Sequence, residues 1–257
     1  MTTAPTAGPR AAGRPVVATG AGGGAAASLQ VAGLSRLSTV DWPGRLAATV
    51  FLQGCPWDCV YCHNPDLIPP RTPGAMAWAE VMRFLARRRG LLDAVVLSGG
   101  EATRQPGLVA AVTEVRALGL AVGLHTAGAY PRRLAAVLPL VDWVGLDVKA
   151  LPEDYPALVR RAGSGDAAWE SLDLVLAAGV DHEVRTTIHP GSPATTHAVA
   201  IARRCRDLGV RSFALQQARE TGARPFPARA PGWDDRAADL AEEIEALGFE
   251  EFTYRSA

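Results

Sequence analysis

Along most of this chain, apolar residues recur at helical spacing, stop at a glycine, and give way to a short apolar run. In "MAWAEVMRFLARRRG" (76–90) the residues Trp78, Val81, Met82 and Leu85 share one helical face and Gly90 supplies the stop, after which "LLDAVVLS" reads as a buried strand. The unit returns as "LVAAVTEVRALG" with "LAVGLHT", as "WESLDLVLAAG" with "VDHEVRTTIH", and as "ATTHAVAIARRCRDLG" with "VRSFALQQ"; Gly119, Gly179 and Gly209 stand where Gly90 does. A shorter helix over Pro131–Leu138 leads into "LVDWVGLDVK", and a last one over Trp233–Leu247 leads through Gly248 into "FEEFTYR". With "LAATVFLQG" as the first strand, the pattern predicts six β units separated by helices. That is an α/β fold of parallel strands with right-handed crossovers, either an open doubly wound sheet or a partial barrel.

Both architectures collect ligands at the carboxyl ends of the strands. Those ends read, in order, "QGC", "SGGEAT", "LHTAG", "LDVK", "VRTTIHPG" and "LQQARETG". All are polar or glycine-rich, as an active-site rim requires.

Composition narrows the function. At 257 residues with 48% hydrophobic side chains the chain can bury a large core as one unit, expected over residues 29–257. The 26 acidic and 26 basic residues cancel, so no net field favours nucleic acid or anionic lipid. No apolar run approaches the ~18 residues that a membrane span needs. The Ala-, Gly-, Pro- and Thr-rich segment 1–28 has neither a compact apolar stretch nor an amphipathic period and is expected to be a disordered tail, in a cytoplasmic protein. Lys149 is the sole lysine among the 26 basic residues, which suggests a position where arginine does not serve.

The densest chemistry is "GCPWDCVYCHNP" (54–65), with Cys55, Cys59 and Cys62 in a CxxxCxxC pattern. Three thiols cannot all pair among themselves, and a metal explains them better than disulfides. Structural zinc would need His63 or Cys205 as a fourth ligand, but His63 follows Cys62 directly, and Cys205 falls on the apolar helical face of Ala198, Ile201, Ala202 and Leu208. Three thiolates without a fourth instead suit a four-iron, four-sulfur cluster with one iron left open to a substrate or cofactor.

This pattern at the end of a first strand, with an aromatic residue before the third cysteine, resembles the radical S-adenosylmethionine (SAM) superfamily. The resemblance implies a partial (β/α)6 barrel with parallel strands, one [4Fe-4S] cluster held by Cys55, Cys59 and Cys62, SAM on the open iron, and Tyr61 against the adenine. "SGGEAT" (98–103) is similar to the family's second signature, which assigns Ser98, Gly99, Gly100 and Glu101 to the methionyl amine. Ala102 replaces the usual proline there and is expected to loosen the turn. "LHTAG" resembles the "LDTNG" strand end of glycyl-radical activating enzymes, with His125 in place of an aspartate that would serve a cation site. "GLDVK" is similar to that group's "LDLK", which implies Asp147 and Lys149 beside the SAM carboxylate and ribose, and Arg185 resembles a strand arginine near the methionine carboxylate.

Upstream, "LSTVDWPGRLAATVFLQGC" with "CVYCHNPDLI" most resembles the activating proteins of anaerobic ribonucleoside-triphosphate reductase. That resemblance implies reductive cleavage of SAM to a 5′-deoxyadenosyl radical and hydrogen abstraction from a glycine of that partner. It also implies a low-potential electron donor such as flavodoxin or ferredoxin, with Asp41 as a contact for the incoming glycine loop. Two rival readings stand beside it: a radical SAM enzyme acting on a small nucleotide-like molecule, and a non-catalytic metal- or redox-sensing module.

Overall fold

A computed structural model of the chain describes residues 23–219 and 228–257. A helical turn α1 (Gly23–Ala26) precedes strand β1 (Val31–Ser38), which runs antiparallel to β2 (Ala47–Leu52). Helix α2 (Trp78–Ala86) leads to β3 (Ala94–Gly99), α3 (Leu108–Ala117) to β4 (Ala121–Thr126), and α4 (Pro131–Val137) to β5 (Trp143–Asp147). Then come α5 (Tyr155–Val159), α6 (Ser164–Ala178), β6 (Asp181–Ile188), α7 (Pro193–Thr196), α8 (Ala198–Asp207) and β7 (Ser212–Gln217), and the chain closes with α9 (Trp233–Glu245) and β8 (Glu251–Arg255).

The eight strands lie side by side in chain order, and β2 through β8 pair in parallel. A doubly wound sheet reverses its strand order at a switch point. Here nothing reverses, so right-handed crossovers place the helices on one face and leave the other as the lumen of a partial barrel. Side chains alternate between the two faces. Val50, Leu52, Val95, Leu97, Val122, Leu124, Val144, Leu146, Val184 and Leu215 pack under the helices in one core. Ala47, Ala94, Val96, Trp42 and Trp143 form a second, small core within the lumen.

Trp42 stacks on Trp143 with ring centroids 5.4 Å apart and plugs the floor of the barrel. Gly123 makes room for it, since a Cβ there would lie 2.9 Å from the Trp42 ring. The floor is therefore apolar, and the polar side chains of the lumen lie above it, buried Thr49 and Glu183 midway and the rest at the carboxyl rim.

The six predicted strands are β2 to β7, and the glycine stops at 90, 119, 179 and 209 all adopt positive φ, the left-handed cap that ends a helix without a Cβ clash. The structure corrects four expectations. "FEEFTYR" adds a seventh parallel strand, β8. Residues 31–38 form β1, whose half-buried pattern shows no clean alternation and hid it from the hydropathy reading. Of the segment read as a tail, residues 1–22 lie outside the described residues, but α1 packs on α3 through buried Ala26, so the fold begins by Gly23. Ala102 does not loosen its turn: it opens a 3-10 turn, Ala102–Arg104, capped by the Glu101 side chain through the Thr103 N–H. Among the described residues no helix is long and apolar enough to cross a membrane.

Candidate active site

The cysteine loop leaves the end of β2 and is pinned from both sides. Gly54 and Cys55 donate N–H bonds to the carbonyls of Leu67 and Ile68 at 2.8 and 3.0 Å, and Asp58 and Val60 donate to Val159 and Leu158 at 3.0 and 3.2 Å. The Cys62 N–H closes a turn on the Cys59 carbonyl at 3.1 Å. The last carbonyls of α5 thus hold the backbone around Cys59. Arg160 adds to this: it ends α5 at φ 55°, unusual for a residue with a Cβ, and places its guanidinium 3.0 Å from Asp58 Oδ2.

All three thiols line one cavity of about 330 Å³ at the carboxyl rim, with Tyr61, Ser98, Gly99, Gly100, His125, Asp147, Lys149 and Arg185. These are the predicted residues, less Glu101 and Asp41. The two glycines have a backbone reason of their own. A Cβ on Gly99, at φ 126°, would lie 2.2 Å from the N and O of Leu52, and one on Gly100 would lie 2.7 Å from the Gly54 carbonyl. Close approach of β3 to β2 demands the first and close approach of the cysteine loop demands the second, and together they leave bare backbone facing the cavity.

Glu101 stands behind Gly100, 1% exposed. Its Oε1 accepts from the Thr103 N–H, the Thr103 hydroxyl and the Thr126 hydroxyl at 3.1, 2.6 and 2.7 Å, and its Oε2 accepts from the Ala127 N–H at 2.9 Å. The carboxylate ties the ends of β3 and β4 together. One Oε2 lone pair remains for a further donor.

A charged cradle forms the opposite wall. Asp147 accepts from Lys149 Nζ at 3.0 Å on Oδ2 and from Arg185 Nε at 3.1 Å on Oδ1. Burial works against the Asp147 carboxylate, but Lys149 and then Arg185 outweigh it and pull its pKa to about 2. Burial likewise opposes the Lys149 ammonium, yet Asp147 chiefly, with Tyr61 and Cys59, carries its pKa well above the usual lysine value. Lys149 Nζ also lies 5.6 Å from the Tyr61 ring centroid, and that ring leans on His189 at 5.0 Å. The lone lysine is thus a compact charge held between a carboxylate and an aromatic face.

His125 faces the cavity but is spoken for. Its Nε2 is 2.7 Å from the Asp41 carbonyl, its Nδ1 is 3.4 Å from Ser98 Oγ, and Arg185 Nη1 sits 3.2 Å from Nε2. A carbonyl only accepts, so Nε2 carries the hydrogen, Nδ1 accepts from Ser98, and the guanidinium lies against an N–H edge. Burial first and Arg185 next lower the His125 pKa to about 3, against an opposing pull from Asp41. A neutral imidazole therefore anchors the loop between β1 and β2 to the barrel wall.

Asp41 itself turns inward, with Oδ2 accepting from Thr49 Oγ1 at 2.6 Å. It lines a second, wider cavity of about 800 Å³ that continues outward from the first past Ser98, His125, Asp147, Arg185 and Gln216.

Two groups escaped the sequence reading, one behind the cavity wall and one in it. Tyr155, fully buried, accepts the Lys149 N–H on its hydroxyl at 2.8 Å and meets Trp57 edge-on at 5.7 Å, so α5 joins the cysteine loop to the end of β5. Arg255 of β8 lines the cavity while gripping buried Glu183 through two bonds of 2.9 and 2.7 Å. The α5 segment lies between predicted elements, and nothing in "FEEFTYR" marks Arg255 as inward-facing. Elsewhere Cys205 is fully buried in α8, Arg87, Arg88 and Arg89 are exposed past the end of α2, and His189 exchanges bonds with Thr195 in a turn.

The donor set fits an iron–sulfur cluster. Burial, with Glu101 adding to it, pushes the Cys55 thiol up to about 12, and burial raises Cys59 as well, so thiolates here call for cationic metal to replace their protons. Among the described residues no three His, Cys, Asp or Glu side chains converge on a point suited to a single ion, whereas the three thiols ring a common cavity that a larger inorganic group can bridge. Bare backbone at Gly99 and Gly100 and the Asp147–Lys149–Arg185 cradle offer complementary charge to a zwitterionic ligand.

Comparison with known proteins agrees with this chemistry. The family model for the Radical SAM superfamily matches residues 49–212. A protein of Methanocaldococcus jannaschii named for glycyl-radical enzyme activation is 30% identical over 197 residues, 73% of this chain and 79% of that one. The pyruvate formate-lyase-activating enzyme of Clostridium pasteurianum is 29% identical over 138 residues, 51% of this chain and 58% of its own length. In fold, the crystal structure of Streptococcus suis SuiB bound to S-adenosylmethionine superposes with a TM-score of 0.63 at 13% identity, over 80% of this chain and 48% of that longer protein. The chain belongs to the radical SAM superfamily, in company with the glycyl-radical enzyme activating enzymes.

Proposed function

We propose that this chain activates a glycyl radical enzyme, and that its partner is anaerobic ribonucleoside-triphosphate reductase. What carries the reading is one cavity that collects three cysteine thiols, a backbone cradle of two glycines and a paired Asp–Lys–Arg wall. The "DWPG" segment and "CVYCHNPDLI" support the choice of partner, and the relative from M. jannaschii supports the broader activity. Radical SAM enzymes use a [4Fe-4S] cluster and SAM.

Cys55, Cys59 and Cys62 hold the cluster, which when reduced supplies the electron that splits SAM into methionine and a 5′-deoxyadenosyl radical. Ser98, Gly99 and Gly100 would present backbone to the methionyl amine, with the Glu101 carboxylate behind them holding the ends of β3 and β4 together. Lys149 and Arg185 would hold the SAM carboxylate by charge beside the ribose, while Asp147 keeps both cations in place. Tyr61 offers its ring to the adenine. No side chain needs to move a proton, because hydrogen-atom abstraction is governed by which C–H bond the site holds nearest. Asp41 stands where a glycine-bearing segment would enter, and His125 fixes its backbone.

The test is anaerobic incubation of the cluster-loaded protein with SAM, an electron donor and the purified reductase. Formation of 5′-deoxyadenosine with a glycine-centred doublet in electron paramagnetic resonance is the expected result. SAM cleavage without that doublet would move the target to another glycyl radical enzyme or to a small nucleotide-like molecule. Binding of metal without SAM cleavage would leave only a sensing module.

A further inference from the structure

The cysteine loop is held by α5, and α5 is only five residues long, too short to keep its place as an isolated helix. Tyr155, Leu158 and Val159 turn one face of it into the core, but apolar burial has no direction and does not by itself fix the helix along its axis. Polar contacts at the two ends do that. At the C-terminal end the carbonyls of Leu158 and Val159 accept from Val60 and Asp58, and Arg160 pairs with Asp58. At the other end stands Asp154.

Asp154 occupies the N-cap position, where an aspartate ordinarily accepts from the second or third N–H of its own helix. Here its side chain makes no cap bond, and Pro156 has no N–H to offer. The carboxylate reaches away from α5 instead, and its Oδ2 lies 2.7 Å from His197 Nδ1. A carboxylate only accepts, so Nδ1 carries the hydrogen. His197 stands at the junction of α7 and α8, held by its own backbone: its N–H donates to the Pro193 carbonyl and its carbonyl accepts from fully buried Ile201, both at 2.9 Å. Ser192 caps α7 through the Thr195 N–H, and Thr195 bonds the backbone of His189 in turn. The histidine thus offers α5 an anchor on a part of the fold that is itself tied down. Neither Asp154 nor His197 lines either cavity.

We propose that Asp154 and His197 are a positioning pair for the cysteine loop: their bond sets the place of α5, and α5 sets the backbone on either side of Cys59 through Asp58 and Val60. The inference rests on the iron–sulfur reading of the three cysteines. A shifted loop changes how backbone and solvent surround the cluster sulfurs, and those surroundings tune an iron–sulfur centre. The same shift moves Tyr155, whose hydroxyl accepts the Lys149 N–H, so the loop and the charged wall opposite it lose register together.

The experiment compares wild type with H197A, D154A, the double variant D154A/H197A, and H197N, which puts an amide N–H where Nδ1 stands. R116A is the control, since it breaks a similarly exposed ion pair away from the loop. In the cluster-loaded full-length protein, H197A and D154A should shift the g-values of the reduced-cluster signal and raise the KM for SAM about threefold or more, with little change in kcat. H197N should keep its KM within about twofold of wild type, and the double variant should be no worse than D154A alone. Hydrogen exchange at the Asp58 and Val60 amides should quicken in H197A and D154A and stay unchanged in R116A. A wild-type spectrum and KM in H197A overturn the inference, as do H197N behaving like H197A, additive losses in the double variant, or the same shifts in R116A. Failure of the activase reading would look different: these shifts present and no glycine-centred radical on the reductase. Failure of the iron–sulfur reading would leave the wild type itself without the signal.

Discussion

At the scale of the residue, the site is a set of side chains whose charges are settled by their neighbours. Asp147 lies between two cations, each about a tenth exposed. Asp147→Asn would leave Lys149 and Arg185 facing each other without compensation, at a cost of about 3 kcal/mol in urea unfolding, and would weaken SAM binding. His125 gives a pH signature. Its pKa is about 3 in the fold and near 6.5 in the unfolded chain, so between these values the unfolded state binds the extra proton and stability falls as the solution becomes more acid. His125→Gln can keep the bond to the Asp41 carbonyl and should remove that component. The wild type should lose about 2 kcal/mol more than the variant between pH 7 and pH 4.5, allowing for the partial exposure of the ring to the cavity. Unfolding midpoints at the two pH values check it.

The same residues show what the chain discloses by itself. Cys55, Cys59, Cys62, Asp147 and Lys149 stand at strand ends in recognisable order, and their meeting in one cavity follows from parallel strands. The part played by Glu101 could not be read that way. A glutamate after two glycines says nothing of which hydroxyls will surround it, and Thr126 comes from another strand 25 residues on. Tyr155 and Arg255 act through tertiary contacts alone, so no local pattern marks them.

At the scale of the element, two segments without a strong sequence signal position the site. The loop between β1 and β2 drops Trp42 onto Trp143 and hands the Asp41 carbonyl to His125. Trp42→Ala would empty the barrel floor, and a loss of about 3–5 kcal/mol on chemical unfolding is expected. The short helix α5 is the other. It gives two carbonyls to the cysteine loop and the Tyr155 hydroxyl to β5. Tyr155→Phe preserves the ring against Trp57 and removes one buried bond, so stability should drop by about 1 kcal/mol and the KM for SAM should rise with little change in kcat. A kcat loss with KM unchanged would place Tyr155 elsewhere in the chemistry. Both segments were hard to read for the same reason: each is too short for a period to emerge.

For the whole molecule, sequential strand order turns a repeated helix–strand pattern into a one-sided cradle. The helices bury the outer face, the tryptophan pair seals the floor, and the polar groups that the lumen admits lie above it, most of them at the carboxyl rim. There the three thiols, two glycines and the Asp–Lys–Arg wall share a cavity small enough to orient one ligand and open enough to admit a segment of another protein. The alternation of helix and strand disclosed this architecture, though the choice between doubly wound and barrel needed the strand order itself.

The central claim is that protein sulfur covers three corners of the cluster and leaves the fourth to SAM. Electron paramagnetic resonance of the anaerobically reconstituted, dithionite-reduced protein, recorded with and without SAM, tests it directly. The account predicts a reduced-cluster signal whose g-values shift when SAM is added, and the loss of that signal when any one of Cys55, Cys59 or Cys62 is replaced by serine. Spectra that superimpose with and without SAM would contradict it.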